Sequence, residues 1–60
     1  MSEDLIKQKT DNFKKEGLVD AAARLGLEAE MYSSKNETKR AKECYQQASQ
    51  CIYEQMAYYK

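Results

Sequence analysis

Large apolar side chains are scarce in this chain, and that scarcity limits what it can fold into. Leu5, Ile6, Phe13, Leu18, Val19, Leu25, Leu27 and Ile52 are its only Leu, Ile, Val and Phe residues among 60. They make up about 13% of the chain, under the roughly 20% below which a core becomes weak. Balanced charge, with 10 Lys and Arg against 10 Asp and Glu, argues against plain disorder. A chain of this length forms one domain, here 1–60, and buries only about 60% of the surface its unfolded form exposes. Such a monomer is marginal and gains from a staple, a metal or a partner.

Staples and metals find little support. There is no His, and two Cys cannot supply the four ligands of a structural zinc site. Cys44 and Cys51 lie seven residues apart, roughly 10 Å along a helix. An intrachain disulfide wants Cα atoms within about 7 Å. No cofactor or metal is expected. The acidic start Met1-Ser2-Glu3-Asp4 and the lack of any ten-residue apolar run predict a cytoplasmic protein with reduced thiols and no membrane attachment. Asn36-Glu37-Thr38 matches a glycosylation acceptor, which carries no weight without secretion.

With no Pro, two Gly and abundant Ala, Glu, Lys, Gln and Leu, the chain reads as all-α. The predicted architecture is a small three-helix bundle, the third helix longest, with helices near 3–16, 18–33 and 35–59. Ser2 would cap the first helix, Glu3 and Asp4 would complement its dipole, and Gly17 would follow its end. In the second, Leu18, Ala21, Ala22, Leu25, Ala29 and Tyr32 form one stripe at helical spacing. Ala22, Gly26 and Ala29 would admit another helix closely. Val19, Ala23, Leu27 and Met31 make a second line around the opposite face, either covered by a neighbouring helix or met by another chain. Ser34-x-x-Glu37 reads as a capping box opening the third helix. Ala41, Cys44, Tyr45, Ala48, Cys51, Ile52, Met56 and Tyr59 then share a face interrupted by Gln55, about 160° wide when Tyr58 is included and enough to touch two neighbours. Tyr45, Ile52 and Tyr59, spaced by seven, are expected in the core. The link between helices two and three holds no Gly or Pro, so one continuous helix is the alternative.

Catalysis has little to work with. Without His the easiest general base at neutral pH is missing. Glu28 and Glu30 point to different sides of their helix, and Gly17 and Gly26 are isolated rather than part of a phosphate loop. The chain is therefore not expected to be an enzyme. Cys44 and Cys51 read as small buried hydrophobes; a redox-sensitive or interchain thiol pair is the functional alternative. Lys35, Lys39 and Lys42 fall on one side of the third helix and read as a solvated face, since a neutral chain lacks the basic excess of nucleic-acid binders. The tail is different. Tyr53, Met56, Tyr58 and Tyr59 offer large contact area with polar handles, as interfaces do, unless the tail folds back over the first helix.

Two patterns resemble known families. Ala22-x-x-Leu25-Gly26, within Asp20-Ala-Ala-Ala-Arg-Leu-Gly-Leu27, resembles the first helix and turn of a helix-turn-helix motif, over about a quarter of the chain. The implied recognition helix would start Glu28-Ala29-Glu30-Met31, setting two carboxylates against DNA, with Lys35 at a position that should be apolar. Leu25-Gly26 followed by Ala41-x3-Tyr45-x2-Ala48 is similar to a tetratricopeptide hairpin with a connection about three residues longer, which implies a peptide-binding helical pair.

The expected function is a non-catalytic protein–protein interaction module that associates with itself, plausibly as a homodimer, or with a partner protein. Val19, Leu27, Met31, Tyr53, Met56, Tyr58 and Tyr59 are the expected partner-binding residues. A helix-turn-helix-like DNA-binding or regulatory accessory is the alternative, although nucleic acid is not an expected partner.

Overall fold

A computed structural model describes residues 5–59 and places three helices in up-down-up order: α1 (Leu5–Lys14), α2 (Leu18–Ser34) and α3 (Thr38–Tyr58). The all-α three-helix expectation holds, with the third helix longest. The molecule measures 38 × 21 × 15 Å. The expected cap at Ser2 and the acidic first turn at Glu3 and Asp4 lie outside the described residues.

Gly17 turns the chain between α1 and α2. Its φ of 121° and ψ of 156° belong to a region that only glycine enters without strain. Its amide donates back to the Lys14 carbonyl, and its own carbonyl accepts the first bond of α2 from Ala21. Between α2 and α3 the same job falls to Asn36, at φ 65°. The amides of Asn36 and Glu37 donate to the carbonyls of Ser33 and Tyr32, the two bonds of a Schellman ending with Asn in the left-handed position. The alternative of one continuous helix is thereby excluded.

The capping box also fails. Ser34 is the last residue of α2, its hydroxyl donating to the Met31 carbonyl, and α3 starts after Glu37 with no side-chain cap. The 18–33 and 35–59 boundaries shift accordingly. Once Asn36 closes α2, Ser34 has helical neighbours of its own to bond.

The core follows the α2 stripe. Ala21, Leu25, Ala29 and Tyr32 are buried, with Leu18 and Ala22 half-buried beside them. Opposite them α3 buries Ala41, Cys44 and Cys51. Ile6, Ala29, Tyr32, Ala41 and Cys44 form one cluster near the α2–α3 turn; Ala21, Leu25 and Cys51, with Phe13, Leu18, Ala22 and Ala48, form the second. α1 contributes Ile6 and Thr10, the latter donating its hydroxyl to the Ile6 carbonyl at 2.8 Å so that no buried polar group is stranded.

Gly26 lies beside the α2 stripe, about 100° round the helix from Leu25. A Cβ added there would meet nothing within 4 Å, so no helix of this chain makes the close approach its size suggested. Gly26→Ala should therefore raise the urea-unfolding free energy by about 0.5–1 kcal/mol, the propensity gain at an unstrained helical site. Gly17→Ala should lower it by about 1–3 kcal/mol, because alanine resists that positive φ. Equal effects of the two would contradict the backbone described.

Candidate interaction surface

Ion pairs fix α1 to one side of the α2–α3 hairpin. Lys9 reaches Glu28 at 2.6 Å and Lys14 reaches Glu54 at 3.2 Å. Lys9 and Arg40 both stand near the Tyr32 ring, at 5.5 and 5.8 Å from its centroid, and Arg24 approaches Phe13. Glu28 and Glu54 thus mark the edges of α2 and α3 that α1 covers. The opposite edges have no neighbour.

That asymmetry corrects the expected core. Tyr45 and Ile52 are 51% and 52% exposed and Tyr59 is more exposed still. The broad α3 face is real, but α1 packs on its Glu54 edge and leaves the Tyr45–Ile52 edge bare. Tyr58 and Tyr59 are bare for a second reason. Cys51 clusters with Ala21 and Leu25 in the first half of α2, and every described residue beyond Gln55 is exposed. That end of α3 is an overhang, and the tail does not fold back over α1.

All seven residues expected to bind a partner lie exposed, Val19 at 64%, Leu27 at 67% and Met31 at 41% among them. The second line of α2 is therefore uncovered within this chain. They do not form one patch. Val19 lies at the α2 edge away from α1, Leu27 on the back of α2, and Met31 nearer the α1 side, because an i, i+4 line drifts about 40° per step around a helix. Met56 and Tyr59 share an edge with Tyr45 and Ile52; Tyr53 lies beyond it, and Tyr58 points to the other side of the overhang.

Tyr45 and Ile52 are the members of this surface that sequence reasoning assigned to the core. The signal that separates them is their offset, by 40° or more, from the Cys44–Ala48–Cys51 line. A shallow open notch lined by Thr38, Ala41, Lys42, Tyr45, Gln46 and Ser49 runs along the same edge. Lys35, Lys39 and Lys42 are exposed, as a solvated face would be.

The residues weighed for catalysis are not brought together. Glu28 is tied to Lys9 while Glu30 faces solvent. Among the described residues no three His, Cys, Asp or Glu side chains gather to hold a metal, and no helix is long and apolar enough to cross a membrane. Gly26 sits inside an unbroken α2, so the turn that the helix-turn-helix resemblance places there is absent. Cys44 and Cys51 are free and fully buried, and burial pushes both thiols above their ordinary range, away from the reactive thiolate. Compared with family models, with curated proteins and with solved structures, the chain matches none.

The thiols and Lys9 give the fold a common pH response. The hydrogen bond from Lys9 to Glu28, set against some burial, raises the Lys9 pKa from 10.5. A raised folded-state value means its stabilisation is whole below the unfolded value and is lost as pH climbs through the folded one. The raised thiols act in the same direction. Stability should therefore be flat from pH 6 to 8 and fall in the alkaline range, and the Glu28→Gln variant should lose part of that alkaline slope in urea titrations. A thiol reagent at neutral pH should label Cys44 and Cys51 only through opening of the fold, far more slowly than in the urea-unfolded chain; native labelling as fast as that of the unfolded chain would refute their burial.

Proposed function

We propose that this chain is a small non-catalytic protein–protein interaction module, binding itself or a partner protein through the apolar and Tyr-rich faces of α2 and α3. The observation that carries this reading is the distribution of its large apolar side chains. Among the described residues Ile6, Leu25 and Tyr32 are the only large ones fully buried, with Leu5, Phe13 and Leu18 half-buried, whereas Val19, Leu27, Met31, Tyr45, Ile52, Tyr53, Met56, Tyr58 and Tyr59 are exposed. A monomer of this size seldom leaves more than a few hundred Å² of contiguous apolar surface uncovered, and patches of that kind serve as contact sites.

The mechanism is linkage. A partner that binds only the folded chain adds its binding free energy to folding, about 2.7 kcal/mol when present at a hundred times its Kd. A helical bundle with so small a core gains most from such a contribution. Binding and folding then report on one another, and concentration sets stability.

The test is made in native extract of the cells that produce the chain. The wild-type chain should elute above its 7.0 kDa, as part of a complex. A variant carrying Leu27→Lys, Met31→Lys, Tyr53→Lys and Met56→Lys should keep its helical circular dichroism, since exposed substitutions cost little, and should elute alone. A wild-type chain at 7.0 kDa in that extract overturns the reading.

A further inference from the structure

The bare edge of α3 carries a pattern that reads the same in both directions. Lys42, Tyr45, Ser49, Ile52, Met56 and Tyr59 follow one another at steps of three, four, three, four and three, the spacing of a seam between two helices packed at a small angle. Reversed, the series superimposes on itself: 42 falls on 59, 45 on 56 and 49 on 52. Any stripe at this spacing superimposes on itself when reversed, so an isologous pairing is judged by which residues then face each other. Large Ile52 meets small Ser49, the Met56 thioether meets the Tyr45 ring, and the Lys42 ammonium meets the Tyr59 ring. Side by side in the same direction, each residue would face its own copy. Two Lys42 ammonium groups would be opposed, and two Ser49 side chains would leave a gap.

The area fits as well. Tyr45 and Tyr59 are 51% and 82% exposed, and at about 150–250 Å² for a whole aromatic side chain they leave about 200–330 Å² bare. Ile52 and Met56, 52% and 60% exposed and about 60–120 Å² each when whole, bring the stripe to about 270–460 Å², the upper end of which meets the apolar share of a standard interface. A standard interface takes about 800 Å² from each partner, a little over half of it apolar, about 450 Å². The chain carries no net charge, so two copies meet without net repulsion.

We infer that a second copy of this chain covers the stripe, the two α3 helices lying antiparallel about a twofold axis between Ser49 and Ile52. The notch beside Lys42, Tyr45 and Ser49 receives Ile52, Met56 and Tyr59 of the second copy. α1 lies on the far side of each hairpin and does not obstruct the approach. This inference rests on the interaction-module reading and names its partner.

Purified chain, held reduced, is examined by sedimentation equilibrium across micromolar to submillimolar concentrations. The expected mass rises from 7.0 kDa to twice that value. Ile52→Lys should weaken the association about 30-fold or more by setting an unpaired ammonium in the seam, while retaining helical circular dichroism. Orientation is read by cross-linking: under mild oxidation, chains carrying Tyr45→Cys should couple to chains carrying Met56→Cys, and neither should couple to itself. A purified chain that stays monomeric throughout overturns the second copy as partner; if it still elutes in a complex from extract, the module reading stands without it. A dimer that Ile52→Lys leaves intact, or one in which Tyr45→Cys couples to itself, overturns the antiparallel seam.

Discussion

The structure depends on a contact between α2 and α3 made almost wholly of small side chains. Ala21, Leu25, Ala29 and Tyr32 face Ala41, Cys44 and Cys51, and of these only Leu25 and Tyr32 are large. Alanine and cysteine leave little between two helix backbones, so close packing gathers many dispersion contacts in a narrow strip. The same choice limits the apolar area removed from water, since each buried Leu or Ile adds about 1.5–3 kcal/mol and few are present. A narrow seam also cannot cover a wide apolar face. Tyr45 and Ile52 lie just off the Cys44–Ala48–Cys51 line, and there a close-packed hairpin has already run out of neighbour.

α1 decides which side remains open. It adds Ile6, Thr10 and part of Phe13 to the core and is otherwise held by Lys9–Glu28, Lys14–Glu54 and the cations near Tyr32 and Phe13. Partly exposed ion pairs contribute about 0.2–1 kcal/mol each, so they orient α1 more than they hold it. Orientation is what matters here. Both carboxylates, Glu28 and Glu54, lie on the same side of the hairpin, and one ten-residue helix can satisfy only that side.

The parts of this fold legible in the sequence are those governed by one helix at a time. The Leu18–Tyr32 stripe and the burial of both cysteines follow from helical periodicity and side-chain size, and both hold. The errors arise where a second element decides. Tyr45, Ile52 and Tyr59 share a heptad spacing with true core positions, and only the placement of α1 tells the two edges of α3 apart. Ser34 and Glu37 have the spacing of a capping box, but Asn36 ends α2 in a left-handed turn that uses Ser34 before α3 begins. Gly26 resembles a site of close helix approach because glycine permits one; permission does not supply the neighbour. For the candidate surface, the i, i+4 line of Val19, Leu27 and Met31 and the contact chemistry of Tyr53, Met56, Tyr58 and Tyr59 each concern one helix, and neither says which of these residues lie together.

The chemistry of the bare edge also bears on what it is suited to. A face of Leu and Ile would be costly to leave in water and would associate without selectivity. Tyrosine presents comparable area with a hydroxyl that stays hydrated while the face is open. Methionine adapts its shape to whatever meets it. Ser49 at the centre of the row limits the apolar run and leaves a recess that only a projecting side chain would fill. Such a face tolerates solvent when alone and, in the proposed dimer, would meet one complementary shape.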